Sequence, residues 1–364
     1  MQKYIWIKTH NVPNSNIFGP TQNHRGDSYH KVFFNMSDLY HSLFTALHGY
    51  CFGNSFVPLW QHWEQFIADK PYISFHGQGL GANSETRKGT SNAYGHAFCQ
   101  LILRQYFNIT YFLDVPYLPK VGDYREYEYL GNTIRVQRVQ QGDMADYICA
   151  AGGPALSIYS AEAKGRLRTF SNEIGGWLGQ FQRVGVSLNS SPMRPLKGLL
   201  AATRIVDSDR NPRTEPFSYL EDPETFGEGN FSEDDLVKIK NTISYIHYSS
   251  ILTRSGISVD DMAWLLDFGV RIKGFEDQLV LLNPIPWFRY HRLLRMEQLS
   301  HRVPIYLIRK NVIDAYLNNK IQDLTIPETK LVTSEFCSYF SDGTILAFSK
   351  GLIQSGPRSI EVII

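Results

Sequence analysis

The chain has 364 residues, of which 43% are hydrophobic, 13% aromatic and 20% charged, a globular composition that excludes disorder as the main state. Single cores stop growing at roughly 250–300 residues, so the length indicates two domains or one elaborated domain. With 36 Lys and Arg against 35 Asp and Glu the formal charge is +1, and a polyanion would have to be held by a local patch rather than by the field of the whole molecule.

Every apolar stretch is broken well short of the ~20 residues a bilayer requires, and no membrane partner is expected. The start, Met1 to Lys8, holds too few apolar residues for the core of a secretory signal, so a cytoplasmic location is expected. Cys51, Cys99, Cys149 and Cys337 form no Cys-x-x-Cys pair, which speaks against a disulfide framework or a structural zinc site and for buried, reduced thiols at Cys99 and Cys149. Eight of the eleven histidines fall by residue 96. They lack the spacing of metal ligands and read as additional amphipathic rings in an aromatic-rich region.

In chain order, helices are expected at about 37–49 and 57–68. The glycine-rich stretch from Gly77 to Thr90 invites a phosphate-loop reading, but Gly89 separates Lys88 from Thr90 and Gly77-x-Gly79-x-Gly81 misses the dinucleotide spacing, which leaves a connector. A helix over 91–107 follows, with Tyr94, Phe98, Leu101 and Ile102 on one face, and then strands at Ile109–Val115, 133–139, 144–150 and 155–163. The spacing of Phe170, Ile174, Trp177, Leu178 and Phe181 predicts a helix over 166–184, and Leu199–Val206 a further strand. Between Glu215 and Asp235 lie eight acids and no Lys or Arg, the pattern of a solvated linker or insertion. Helices are expected near 233–254, 258–269, 288–300 and 309–320, with a closing strand pair in 330–349.

The stretch that carries chemistry is Met144 to Gly165. Glu162 and Lys164 are two apart in a strand and share a face. If Gly152-Gly153-Pro154 is the hairpin loop and Ala151 pairs with Ala155, Asp146 lies opposite Ser160 and diagonal to Glu162, ~7–8 Å away, near enough for both carboxylates to reach one divalent ion. Two carboxylates and an amine suit phosphodiester hydrolysis: the carboxylates hold a metal ion and the ammonium orients the nucleophile or offsets transition-state charge. Ala161 and Ala163, on the other face, are small enough for a helix to pack closely. Glu-x-Lys recurs at Glu328-Thr329-Lys330, but behind Pro327 and without an apolar strand before it, as a surface turn.

Asp146, then fifteen residues, then Glu162-Ala163-Lys164 at the end of an apolar strand, followed by Gly165 and an amphipathic segment with Gln180 and Gln182, resembles the PD-(D/E)XK nuclease superfamily over about residues 90–185. The resemblance implies an α/β fold: a restriction-endonuclease-like core with a central mixed β-sheet flanked by helices, plus N-terminal and mostly helical C-terminal additions. It implies a Mg2+- or Mn2+-dependent endonuclease, acting on DNA in host defence or DNA processing. Asp146 and Glu162 would be metal ligands, the Ala163 carbonyl a third, and Lys164 the catalytic lysine. Ala145 stands where proline is frequent in the superfamily, and the helix 91–107 lacks the acid that many members add, for which Asp114, Glu126 or Glu128 would have to substitute. The alternative is a non-catalytic nucleic-acid-binding or scaffolding subunit that keeps the fold within a larger complex.

The expected organisation is an N-terminal extension (1–88), a nuclease-like core (89–206), an acidic linker or insertion (207–235) and a mostly helical C-terminal region (236–364). For nucleic acid, Arg166 and Arg168 follow Lys164 directly, and Arg135, Arg138, Arg204, Arg210 and Arg213 could extend that patch. Arg289, Arg292 and Arg295 lie in a stretch from Trp287 to Lys310 with six Lys and Arg against Glu297 alone, where arginines interleave with aromatics. Cutting both strands of a duplex requires two sites, which a homodimer or a multiprotein complex would supply.

Overall fold

The computed structural model describes residues 2–12, 15–24, 26–46, 66, 70–77, 83–209, 214–223, 231–254, 266, 269–272, 278–282, 303–326, 336–349, 351–356 and 359–364. The chain divides into two compact units, the first of residues 2–34 and 62–247 and the second of residues 1, 35–61 and 248–364. Among the described residues no helix is long and apolar enough to cross a membrane.

The chain opens with β1 (Gln2–His10), β2 (Thr21–His24) and β3 (Asp27–Asn35), followed by α1 (Met36–Ala46). In β1 both alternating sets are covered, Ile5 and Ile7 on one face and Tyr4 and Trp6 on the other, as expected of a strand with neighbours on both sides and layers above and below. The short β4 (Ser74–Phe75) precedes α2 (Ser84–Phe107). The side chain of Asn83 caps α2 by accepting the Thr86 N–H at 2.9 Å, and the left-handed Asn108 closes it. The helix starts seven residues before the expected 91 because its first turns are exposed and carry no apolar repeat to read. Next come β5 (Ile109–Asp114), the hairpin β6 (Tyr124–Tyr129) and β7 (Asn132–Arg138), and the pair β8 (Tyr147–Ala151) and β9 (Ile158–Arg166). The helix expected over 166–184 shrinks to α3 (Ile174–Leu178) and a tighter 3-10 turn (Gly179–Arg183); Gly175, Gly176 and Gly179 weaken the longer helix. The unit finishes with β10 (Val184–Leu188), β11 (Lys197–Arg204), β12 (Val206–Asp207), β13 (Phe217–Glu221) and most of α4 (Glu233–Arg254).

Eight of these strands form one mixed sheet in the order β2-β3-β1-β13-β11-β9-β8-β5. The pairs β1–β13 and β11–β9 are parallel, and β11–β13, β8–β9 and β5–β8 antiparallel. Helix α2 packs on one face. Gly95 and Gly165 meet there so closely that a Cβ on Gly165 would stand 1.6 Å from the Ser91 carbonyl oxygen, and one on Gly95 would stand 2.2 Å from the Gly165 nitrogen. On the other face Ile158, Leu200 and Ala202 join Phe170, Trp177 and Phe181 from the α3 segment and Ile239 and Ile243 from α4. The smaller sheet β10-β7-β6 adds Ile134, Val136, Val184 and Val186 to that core.

The expected divisions of the chain do not follow this sheet. Residues 1–88 are not an extension, since β1 to β3 are strands of the central sheet. The acidic segment 207–235 is not simply a linker either, because β13 lies between β1 and β11 at the sheet's centre. The acids misled: Glu221 and Asp222 are buried.

In the second unit, strands β14 (Gly269–Ile272), β15 (Leu279–Leu281), β16 (Val303–Arg309), β17 (Cys337–Tyr339), β18 (Thr344–Ser349), β19 (Gly351–Gly356) and β20 (Ser359–Ile363) form a seven-stranded sheet, order β17-β18-β16-β15-β14-β20-β19. The helices expected near 233–254 and 309–320 are present as α4 and α5 (Lys310–Leu317), but among the described residues of 236–364 this sheet adds seven strands to what was expected to be a mostly helical region. The closing strand pair is present as β17 and β18. The helices expected near 57–68, 258–269 and 288–300 and the turn at Glu328–Lys330 fall almost wholly outside the described residues. Among the histidines, His24 stacks on Trp6 at 4.4 Å and His41 on Phe340 at 3.8 Å, while His48 and His62 lie outside the described residues.

The Gly95–Gly165 contact sets the height of α2 above the strand end that carries Lys164. Replacing Gly165 with Ala forces helix and strand apart, and we expect a stability loss of about 3 kcal/mol or more in urea unfolding, against under ~1 kcal/mol for the open Gly89→Ala, where a Cβ meets nothing within 4 Å.

Candidate active site

The hairpin β8–β9 pairs Tyr147 with Ala161, Ile148 with Ser160, Cys149 with Tyr159 and Ala150 with Ile158. The Ala151 N–H donates to the Ser157 carbonyl at 2.9 Å. The connection is therefore longer than the three residues Gly152-Gly153-Pro154, and the expected pairing of Ala151 with Ala155 is displaced by two positions. A slip of two preserves every face, whereas a slip of one would have reversed them. Carried one residue further, the observed register sets Asp146 directly across from Glu162 instead of diagonal to it.

Asp146 is fixed at three points. Its N–H donates to the Ala161 carbonyl at 3.0 Å, its carbonyl accepts the Val115 N–H at 2.9 Å, and its Oδ2 accepts the Ala163 N–H at 2.8 Å. Ala163 thus enters the site through its backbone N–H, while its methyl is buried. Lys164 Nζ lies 3.9 Å from Asp146 Oδ2 and in direct contact with Glu162 Oε1. The side chains of Asp146 and Lys164 are 25% and 16% exposed and that of Glu162 is 0% exposed, so the group opens to solvent only past the lysine and the aspartate. Glu162 meets Lys164 and the Asp146 carboxyl, and no further hydrogen bond reaches it among the described residues. Burial, then the charge of Asp146, push the Glu162 carboxyl up to about 9, against the opposing pull of Lys164. On the α2 side, burial likewise raises the thiols of Cys99 and Cys149, which removes them as nucleophiles.

Lys164 also lines a cleft of about 670 Å³ bordered by Lys88 and Asn92 of α2, Arg166 of β9, and Gln180 and Arg183 of the 3-10 turn. Arg166 points its Nε and Nη2 at Glu173 Oε2, both at 3.2 Å, and lies 5.2 Å over the Trp177 ring. Arg168 is exposed. The other arginines expected to extend the patch are engaged or covered: Arg135 pairs with Glu126 at 2.7 Å, Arg138 is buried and donates to the Leu118, Pro119 and Gly142 carbonyls, and Arg204 is buried. Arg210, Arg213, Arg289, Arg292 and Arg295 lie outside the described residues. Lys88, Asn92 and Arg183 were not singled out from the sequence. Lys88 stands in a glycine-rich stretch with the pattern of a connector, and Arg183 ends a segment whose sequence signal is its apolar spacing.

Asp146 and Glu162 are the two side chains placed to hold a divalent ion. Mg2+ keeps several waters and is commonly bound through one or two carboxylates, and the two facing carboxyl groups, with Lys164 between them and solvent as a counter-charge, fit the donor set of such an ion. Among the described residues no three His, Cys, Asp or Glu converge, so Asp114, Glu126 and Glu128 do not complete a larger set of ligands. Comparison of the chain with protein-family models, with curated proteins and with solved structures found no match.

The raised Glu162 carboxyl makes folding take up a proton. In the unfolded chain it ionises near its ordinary 4.5 and in the folded protein near 9, so its contribution to stability is whole below about pH 4.5 and declines as pH climbs toward 9. Glu162→Gln in metal-free protein is expected to match wild type near pH 4 and to exceed it by about 1–3 kcal/mol at pH 8 in denaturant titrations. A stability difference independent of pH would show that this carboxyl is not the group protonated on folding.

Proposed function

We propose that the first unit is a metal-dependent nuclease of the PD-(D/E)XK kind that hydrolyses phosphodiester bonds, with DNA as its substrate. The observation that supports this most is the meeting of Asp146, just before β8, with Glu162 and Lys164 of β9, the last of which lines a cleft that holds three further cationic side chains.

Asp146 and Glu162 would hold Mg2+ or Mn2+. When bound, such an ion polarises a phosphate and lowers the pKa of a water enough to give hydroxide near neutral pH. The chain's own residues supply the remainder. The Ala163 N–H fixes the orientation of Asp146 Oδ2, and Glu162 would serve as a ligand in its carboxylate form, its proton passing to solvent. Lys164 would offer its ammonium to the attacking oxygen or to the charge that develops on the phosphate.

One observation favours a non-catalytic rival. Glu162 is fully covered and already contacted by Lys164, an arrangement that also suits a nucleic-acid-binding or scaffolding subunit with a satisfied core.

Calorimetry with Mg2+ and Mn2+, followed by cleavage of plasmid and single-stranded DNA, separates the two. Wild type is expected to bind metal and cut, Glu162→Gln to lose both, and Lys164→Ala to keep metal while cleavage falls by about 10²–10³-fold. Undiminished cutting by Lys164→Ala overturns the proposed mechanism, and tight nucleic-acid binding without metal or cleavage in wild type establishes the rival.

A further inference from the structure

The cleft beside Lys164 carries more positive charge than its own acids neutralise. Lys88, Lys164, Arg166 and Arg183 border it, against Asp143 and Glu173. The four cations differ in how they are held. Lys164 is paired with Glu162 and lies near Asp146, and Arg166 is held by Glu173. Arg183 Nη1 donates to the Asp143 backbone carbonyl at 3.0 Å, a neutral partner. Lys88 makes no ion pair among the described residues. Two cations on different elements thus face the cleft without a carboxylate of their own.

A second observation is independent of charge. Gln180 lines the same cleft, is 4% exposed, and its Oε1 has no hydrogen-bond partner among the described residues. A covered carboxamide oxygen left unsatisfied is unfavourable. The exocyclic amine of a base or a sugar hydroxyl would satisfy it, and a phosphodiester group, which carries no donor, would not.

The site is also recessed. Glu162 is fully covered and Lys164 only 16% exposed, so a scissile phosphate has to descend into a cleft of about 670 Å³. In an intact duplex the phosphates are fixed on a stiff double helix whose persistence length is about 150 base pairs. A single strand bends at each nucleotide and can enter.

We propose that the cleft seats a single polynucleotide strand, with Lys88 of α2 and Arg183 of the 3-10 turn taking its backbone phosphates and Glu173 standing in for a phosphate on Arg166 until the strand arrives. This names the substrate class of the nuclease reading and rests on it for the chemistry. The binding itself is separable, because contacts to phosphate and base need neither metal nor cleavage.

The test is fluorescence anisotropy in EDTA, where nothing is cut, with a labelled 12-nucleotide DNA strand, an RNA strand of the same sequence and the matching DNA duplex. The strands are expected to bind at least about 10-fold more tightly than the duplex. Lys88→Ala should weaken strand binding about 3–10-fold and flatten its salt dependence by the ~0.7 of one lost phosphate contact. Glu173→Gln should tighten it by about 3–10-fold, a gain that damage to the fold does not produce. Equal affinity for strand and duplex, or wild-type binding by both Lys88→Ala and Glu173→Gln, overturns the proposal. If the variants shift strand binding as expected but no nucleic acid is cut with Mg2+ or Mn2+, the cleft assignment is upheld and the nuclease reading fails. Cleavage in wild type with unaltered binding in both variants does the reverse.

Discussion

A carboxyl group with no exposure at all, in an inner strand of an eight-stranded sheet, has to be neutralised by a proton, an ammonium or a metal ion, and the surroundings of Glu162 are arranged around that need. Lys164 contacts it from the same strand face, Asp146 stands opposite, and the Ala163 N–H holds the Asp146 carboxylate in place. The protein around them maintains this group at the strand end. α2 closes one face through the Gly95–Gly165 contact and so fixes the level of β9, while Phe170, Trp177 and Phe181 cover the other. A carboxylate solvated at an edge strand would need none of this.

The part of the fold legible in the sequence is the part written at short range. The alternation of Ile158, Ser160, Glu162 and Lys164 against Ala161 and Ala163 gives the correct two faces of β9 and foretells close packing by a helix, which α2 provides. The register was readable to within an even number of residues, because side-chain parity is all that alternation encodes. The loop length is set by contacts such as the Gly152 N–H to the Asn108 carbonyl, made by residues more than forty positions apart. Likewise no local pattern shows that Trp6 pairs with Phe217, so the N-terminal strands read as an appendage and the acids around β13 as a linker.

The grouping of side chains is legible only where chemistry and spacing agree. That Asp146, Glu162 and Lys164 come together follows from the alternation of polar groups on one hairpin face. Arginines carry no such signal. Arg138 satisfies three backbone carbonyls, Arg135 pairs across a hairpin with Glu126, and Arg166 is divided between Glu173 and Trp177. In sequence all three look alike as candidate phosphate contacts. Lys88 was passed over for the opposite reason: its glycine-rich setting failed the phosphate-loop pattern, and the helix that presents it begins before any apolar repeat.

The charges of the site also constrain what can enter it. With Glu162 protonated, Asp146 and Lys164 balance and the group is neutral. With Glu162 ionised the group is −1, and a divalent ion would bring it to +1, beside a cleft whose outer cations already exceed its acids. If Asp146 and Glu162 held a divalent ion, its charge would add to the attraction of Lys88 and Arg183 for phosphate. A neutral or cationic guest would not benefit from it. On the proposed reading, the groups that make Glu162 costly to ionise in the free protein would also favour a polyanion once an ion was held by Asp146 and Glu162, and the outer cations Lys88 and Arg183 would attract a strand from positions that do not compete for those two carboxylates.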